Sequence, residues 1–182
     1  KPLFELESPP LAEVVRDINK YSNNLMAQQL FLTLSLQRPG GASNEASREV
    51  VRQWWQGRFG AQEPAPVLDN GSGLSRQERI TSQGLARLLQ TAYVSGSMPE
   101  LMTSLPISGV DGTLKRSKSQ LAQGWAHLKS GSLRDTTALA GYVHTPSGRR
   151  LVVVGIINHA NAAAARPALE ALVDWAIKEG GK

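Results

Sequence analysis

Lys129-Ser130-Gly131-Ser132 places a cation, two hydroxyl groups and a residue without a side chain next to one another. A half-buried lysine can hold a ligand carboxylate and lower the pKa of a neighbouring group. The Ser130 hydroxyl can donate to the same carboxylate, and Gly131 lets a ligand approach the backbone closely. The Ser132 N–H can donate to a developing oxyanion if the strand lines a cleft. The alternative interpretation is a lysine at a strand start followed by a glycine bulge, with no ligand.

A second polar segment, Asn19–Asn24, lies about a hundred residues upstream. A serine hydroxyl such as that of Ser22 can relay a proton between two bases towards a leaving amine, and the Asn24 amide can both donate and accept. The same segment can instead cap a helix that begins near Leu25. Capping and catalysis can coexist in one loop, so both interpretations stay open.

The glycine-rich segment Asp69–Arg76 lies between these two. It is not followed by the Gly-Lys-Ser/Thr of a phosphate-binding loop, and no strand-to-helix pattern encloses it. Its composition predicts irregular structure.

Helices are predicted to position the upstream segment. Leu11, Val14, Val15 and Ile18 recur at helical spacing, and a second, mostly apolar helix from Leu25 to Leu36 is expected to be well buried. Asn44 is expected to cap a helix that carries Trp54 and Trp55 into the core and ends at Gly60, and Thr81 opens a helix to Ala92. Residues 96–124 read as irregular.

Strands are predicted to position the downstream segment. Three strands separated by short turns are predicted at Ala126–Leu133, Thr137–His144 and Arg150–Asn158, and a helix over about Ala163–Lys178 follows. Helices followed by an antiparallel meander with a helix packed on it predict an α+β fold. We expect a helical part over about 10–124 and a sheet part over 125–182.

Composition excludes several classes of site. The formal charge of +5 and pI of about 9.8 favour an anionic partner, but no run of five basic residues is present, so we expect no nucleic-acid binding. The chain has no cysteine, and His127, His144 and His159 do not fall at metal-ligand spacing, so we expect no metal and no cofactor. No apolar stretch is long enough to span a bilayer, so we expect at most peripheral membrane contact.

Three segments in this order resemble the class C low-molecular-mass penicillin-binding proteins, which are D-alanyl-D-alanine carboxypeptidases and endopeptidases. Asn19 to Leu30 is similar to Asn-Lys-x-Ser-x-Asn-x-x-Ala-x-x-Leu, and Asn70 to Arg76 to Asp-Gly-Ser-Gly-Leu-Ser-Arg. Lys129 to Leu133, followed by Ala138 to Val143, is similar to Lys-Thr-Gly-Ser/Thr-Leu and Ala-x-Ala-Gly-Tyr-Val. The resemblance covers nearly the whole chain, with Ser130 in place of the usual threonine.

The Ser-x-x-Lys element of that family is absent. None of the seventeen serines is followed three residues later by a lysine; Ser35 and Ser147 come nearest, with Arg38 and Arg150. An arginine stays protonated and cannot act as the base of such a pair. We therefore expect residues 1–182 to be the C-terminal part of one catalytic domain, whose N-terminal part is missing or belongs to a separate chain.

The resemblance implies a partial penicillin-binding-protein or serine β-lactamase-like fold and a periplasmic peptidase. Its substrates would be peptidoglycan stem peptides, and β-lactams would acylate it. Ser22, Asn24 and Lys129 would be catalytic, and Ser130, Gly131 and Ser132 would bind substrate. The alternatives are a non-catalytic peptidoglycan-binding or scaffold protein and a serine β-lactamase; the Gly-Ser-Gly-Leu-Ser-Arg string disfavours the latter.

Overall fold

A computed structural model of the protein describes residues 3–180 and contains six α-helices and three β-strands in this range. The helices precede the strands, except for the last helix, which follows them. Their bounds are α1 Leu11–Tyr21, α2 Asn24–Thr33, α3 Asn44–Phe59, α4 Ser82–Tyr93, α5 Met98–Ser104, β1 Ala126–Leu133, β2 Thr136–His144, β3 Arg150–Asn158 and α6 Arg166–Gly180.

The three strands form an antiparallel sheet in the order β1-β2-β3. The predicted strands are confirmed, with β2 beginning one residue early. Lys129 is opposite Ala140, and Leu128 is opposite Gly141. Gly141 has φ +151°, and a Cβ there would lie 2.2 Å from the carbonyl oxygen of His127. Only glycine therefore allows β1 and β2 to approach this closely beside Lys129.

Each face of the sheet is covered by helices. On one face, Leu128 and Val153 pack with Leu169 and Val173 of α6. On the other, Tyr142 packs with α4 and α5, and its hydroxyl donates to the carbonyl oxygen of Leu89 at 2.8 Å. Each fully buried aliphatic side chain stabilises the fold by about 1.5–3 kcal/mol. The sheet is thus a rigid platform for the residues of β1, and the α+β architecture agrees with the sequence.

Three helices of the first half begin at side-chain caps. Asn23 accepts from the N–H of Met26, Ser43 from that of Ala46, and Thr81 from that of Gly84. The prediction that Thr81 opens a helix is therefore confirmed. The prediction that Asn44 caps α3 is wrong, because Ser43 takes that position and Asn44 is the first helical residue.

Burial of the first helices differs from the prediction at two places. Trp55 is buried, but Trp54 is 49% exposed, so only one of the two tryptophans is in the core. The prediction of a well-buried helix over Leu25–Leu36 is wrong for α2, in which Phe31 is the buried residue. Its apolar side chains are distributed around the helix, so that one face cannot bury them all, and Leu25 remains 67% exposed.

The stretch 96–124, predicted to be irregular, contains α5 and a short 3₁₀ turn at Gly112–Leu114. Pro99 lies in the first turn of α5, where the missing N–H costs no hydrogen bond, so this proline does not disrupt the helix. The last helix begins at Arg166 rather than near Ala163, after a 3₁₀ turn at Ala162–Ala165. Over residues 3–180, none of the helices is long and apolar enough to cross a membrane.

Candidate active site

The two predicted segments meet where α1 ends against β1. Ser22 follows α1 directly, and Lys129 is the fourth residue of β1. The Lys129 ammonium donates to Ser22 Oγ and, at 2.9 Å, to the carbonyl oxygen of Ser130. Residues 107 positions apart in sequence are therefore in direct hydrogen-bond contact.

Lys129 is half-buried, which lowers its pKa below the ordinary lysine value because burial disfavours the charged form. The lysine consequently gives up a proton more readily than an exposed lysine would. A lysine of lowered pKa in contact with a serine hydroxyl is an arrangement that can move a proton or hold an anion.

Ser22 has an unusual backbone conformation. Its φ of 52° and ψ of 49° are left-handed, and among the described residues no other non-glycine residue has a positive φ. This conformation costs a serine about 1–2 kcal/mol. The N–H groups of Ser22 and Asn23 both donate to the carbonyl oxygen of Ile18, which closes the end of α1. The turn directs the Ser22 hydroxyl towards β1.

Asn24 is the first residue of α2 and is half-buried. Its side-chain nitrogen donates to the carbonyl oxygen of Ser72 at 2.5 Å, and Gly73 lies beside the same amide. The glycine-rich loop therefore holds Asn24 in place, a contact that sequence reasoning did not anticipate. The side chain that caps α2 is that of Asn23. The side chains of Ser22 and Asn24 therefore do not cap this helix.

The phase of β1 decides which backbone groups face outward. The Leu128 N–H donates to the carbonyl oxygen of Pro106, on the side away from β2. In an antiparallel strand every second residue directs its backbone groups to the same side. Ser130 and Ser132 share the phase of Leu128, so their N–H groups lie on the outer edge of the sheet, beyond the segment that pairs with Leu128.

Ser130, Gly131 and Ser132 follow Lys129 along this edge. The Ser130 hydroxyl lies 3.4 Å from Thr113 Oγ1, and Gly131 and Ser132 are exposed. A Cβ at Gly131 would meet Ala138 at 3.8 Å, an ordinary contact. Packing within the described chain therefore does not require glycine at this position, unlike at Gly141.

Two histidines lie behind the site. The rings of His127 and His144 stack with centroids 5.4 Å apart, and His127 Nδ1 lies 3.2 Å from the carbonyl oxygen of Met102. Burial lowers the pKa of both histidines. Over residues 3–180 no group of three or more His, Cys, Asp and Glu side chains could hold a metal ion.

The three predicted catalytic residues are thus held by neighbouring elements, with Ser22 and Lys129 in contact and Asn24 one residue beyond the turn. Sequence reasoning did not single out Lys20, which bonds to Asp111, or Thr113, which lies beside Ser130. The Asp111-Gly112 pair was a detectable turn signal within a stretch read as irregular.

Comparison with known proteins gives consistent matches. The family model of D-Ala-D-Ala carboxypeptidase 3 (S13) matches residues 1–179. A D-alanyl-D-alanine carboxypeptidase of Actinomadura sp. (strain R39) is 31% identical over 92% of this chain, which spans 32% of that relative's length.

Two solved structures show the same fold. Penicillin binding protein 4 of Haemophilus influenzae superposes with a TM-score of 0.82 at 24% identity, over 96% of this chain and 40% of that one. A penicillin G-acylated predatory endopeptidase of Bdellovibrio bacteriovorus superposes with a TM-score of 0.78 at 20% identity, over 96% and 47%. The penicillin-binding-protein fold expected from the sequence is therefore confirmed.

Proposed function

Because this chain belongs to the D-Ala-D-Ala carboxypeptidase 3 (S13) family, we propose that it supplies the Ser-x-Asn and Lys-Ser-Gly elements of a serine-type D-alanyl-D-alanine carboxypeptidase/endopeptidase. The chain spans about a third of the length of curated relatives that it matches. The contact between Lys129 and Ser22 is the observation that carries the proposal, because it joins two elements that acyl transfer requires together.

The proposed reaction begins with a serine that none of these 182 residues supplies in a Ser-x-x-Lys setting. Its oxygen attacks the carbonyl carbon of a D-alanyl amide while its hydroxyl proton passes to the lysine of the Ser-x-x-Lys pair, and the carbon–nitrogen bond then breaks to leave an acyl-enzyme. Ser22 passes a proton to the leaving amine, and Lys129 compensates the charge that develops on the Ser22 oxygen. Water then hydrolyses the ester and releases the serine.

The remaining residues hold the substrate in this proposal. Asn24 binds the substrate amide and orients the lysine of the nucleophile segment. Ser130 binds the terminal carboxylate, and the exposed Gly131 leaves room for the peptide along the strand edge. The outward N–H of Ser132 supplies half of an oxyanion hole.

The substrates are then peptidoglycan stem peptides, and β-lactams are mechanism-based inhibitors. The penicillin G-acylated endopeptidase of Bdellovibrio bacteriovorus supports this for a protein of the same fold. Because the substrate is cell-wall polymer, we place the protein in the periplasm. Its formal charge of +5 suits an anionic sacculus. The proposed chemistry uses no metal and no organic cofactor.

Penicillin labelling with mass mapping tests this function. The full gene product, here called the full-length protein, is incubated with a fluorescent penicillin, digested, and searched for one drug adduct. We expect the adduct on a Ser-x-x-Lys serine outside residues 1–182, and no acylation of the 182-residue chain alone. An adduct on one of the seventeen serines in this chain, or no adduct on the full-length protein, would contradict the proposal.

A further inference from the structure

Lys20, two residues before Ser22, is an almost fully buried lysine. It is 9% exposed, and its ammonium donates to the carbonyl oxygen of Leu105 at 2.7 Å and to Asp111 Oδ2 at 2.6 Å. Lysines are almost never buried to this degree unless they are paired. The last turn of α1, from which Ser22 emerges, is therefore attached to the segment 105–111 by a charged contact.

Asp111 uses both carboxylate oxygens. Oδ2 accepts from Lys20, and Oδ1 accepts from the N–H of Ile107 at 2.8 Å. The N–H groups of Val110 and Asp111 donate back to the carbonyl oxygen of Ile107 at 3.0 and 3.2 Å. The turn 107–111 is thus closed on itself, so Asp111 presents Lys20 with a fixed rather than a freely rotating carboxylate.

Gly112 packs directly against the backbone of α1. Its φ is +54°, and a Cβ there would lie 2.6 Å from the carbonyl oxygen of Lys20. Side chains rarely adopt this φ, and the carbonyl leaves no space for one. Backbone contact at Gly112 and the ion pair at Asp111 therefore hold the same helix end.

The other side of this segment is bonded to β1. The carbonyl oxygen of Pro106 accepts from the N–H of Leu128 at 2.9 Å, and Ile107 forms a bridge with His127. Thr113 Oγ1 lies 3.4 Å from the Ser130 hydroxyl. The segment 106–113 consequently connects the helix that ends at Ser22 to the strand that carries Lys129.

We propose that Lys20, Asp111 and Gly112, together called the brace, are positioning residues that set the distance between Ser22 Oγ and Lys129 Nζ; this inference rests on the proposed function. A left-handed serine persists only where its surroundings hold it. The brace supplies that restraint through the segment bonded to β1, so Ser22 cannot move away from Lys129 without breaking the partly buried Lys20–Asp111 ion pair. Misplacement of a reacting group by about 1 Å can reduce the rate constant of a chemical step by about a hundredfold.

Three variants test the brace in the full-length protein. Lys20→Met keeps the apolar stem and removes the ammonium, and Asp111→Asn keeps an acceptor for Ile107 but removes the charge. Gly112→Ala pushes a methyl group against the carbonyl of Lys20. The matched control is Arg87→Met, which breaks the ion pair between Arg87 of α4 and Glu63 in the segment that links α3 to α4.

Two quantities are measured well below the melting temperature. The first is acylation by penicillin, separated into the dissociation constant of the non-covalent complex and the acylation rate constant. We expect that rate constant to fall by about tenfold to a hundredfold in all three variants. The dissociation constant should change less than about threefold. General destabilisation does not lower the acylation rate constant while leaving the dissociation constant nearly unchanged.

The second quantity is hydrogen exchange, read by mass spectrometry in the peptide containing Ser22 and Asn23. We expect it to become at least about tenfold faster in the brace variants and to stay unchanged in Arg87→Met. Unchanged exchange, or faster exchange with an unchanged acylation rate constant, overturns the inference. If Lys20→Met does not fold, Asp111→Asn and Gly112→Ala decide the question. If the unmodified protein is not acylated, the proposed function fails, and exchange alone decides whether the brace holds Ser22.

Discussion

The ammonium of Lys129 donates to the hydroxyl oxygen of Ser22, although 107 positions of sequence separate the two residues. One partner ends a helix in a left-handed turn, and the other lies in the middle of a strand at the edge of the sheet. The contact therefore forms only when the helical part is packed on the sheet, so the site exists only when both parts are folded.

Replacing Lys129 should strongly slow acyl transfer. We expect Lys129→Met to lower the second-order rate constant of penicillin acylation of the full-length protein by about a hundredfold or more, because the charge beside Ser22 is lost. Lys178→Met, which removes an exposed lysine of α6, is the control. Fluorescent penicillin labelling followed over time gives both rate constants. Equal labelling of the two variants would exclude Lys129 from the chemistry.

Two substitutions of Ser22 separate the effect of its hydroxyl group on acylation from the effect of its backbone conformation on stability. Ser22→Ala and Ser22→Gly both remove the hydroxyl, so we expect both to slow acylation by about a hundredfold. Glycine adopts the left-handed conformation without strain, so Ser22→Gly should be more stable to unfolding than Ser22→Ala by about 1 kcal/mol. Denaturant unfolding and penicillin labelling of the two variants measure these effects. Retained labelling in either variant would show that the hydroxyl is dispensable.

Two glycines near the site should respond in opposite ways to alanine. In Gly141→Ala the new methyl group meets the His127 carbonyl oxygen, so we expect a loss of about 3 kcal/mol or more in the free energy of unfolding. In Gly131→Ala it has room, so stability should change by less than about 1 kcal/mol.

Gly131→Ala should nevertheless slow penicillin acylation by about tenfold, because the methyl group lies where the ligand approaches the strand. Thermal unfolding and labelling of both variants test the contrast. A stable Gly131→Ala protein that is labelled at the normal rate would remove Gly131 from the substrate-binding residues.

The stacked histidines predict a loss of stability in acid. Burial lowers the pKa of both His127 and His144. The charges of His127 and Arg150 lower the pKa of His144 further. Lys20 also lowers the pKa of His127, whereas Asp111 raises it. Because the folded-state pKa values lie below those of the unfolded chain, the unfolded chain binds more protons in the interval between them. Stability therefore falls as pH drops through that interval, from the ordinary histidine value downwards.

The measurement is the midpoint of thermal unfolding between about pH 7 and pH 5. His144→Phe keeps a stacked ring and removes one titrating group, so its midpoint should fall less steeply than that of the unmodified protein. Lys178→Met, which leaves both histidines in place, should follow the unmodified protein. Identical slopes for His144→Phe and the unmodified protein would contradict the prediction.

The strands were predictable from the sequence because short turns separate them, β3 carries a continuous apolar run, and their pairing is local. Helix α5 was missed because Pro99 and several glycines suggested irregular structure, although a proline in the first turn is tolerated. The burial of α2 was overestimated because its apolar residues do not share one face.

Candidate site residues could be chosen from the sequence because the segments around Ser22, Asn24 and Lys129 resemble motifs of the class C penicillin-binding proteins. What could not be predicted was which residues support them. Lys20 reaches Asp111 across 91 positions, and Asn24 reaches Ser72 across 48. Such contacts depend on how the helices and loops pack against one another, and the local pattern of side chains does not predict which distant residues will meet.

The connectivity of the sheet has a consequence for the order of folding. The strands β1, β2 and β3 are consecutive, short turns join them, and α6 follows. Their contacts close small loops, whereas docking of α1 must close a loop of about a hundred residues, which is entropically slower. We therefore expect the meander and α6 to form the folding nucleus, and the cleft to be the last part of the molecule to acquire its native contacts.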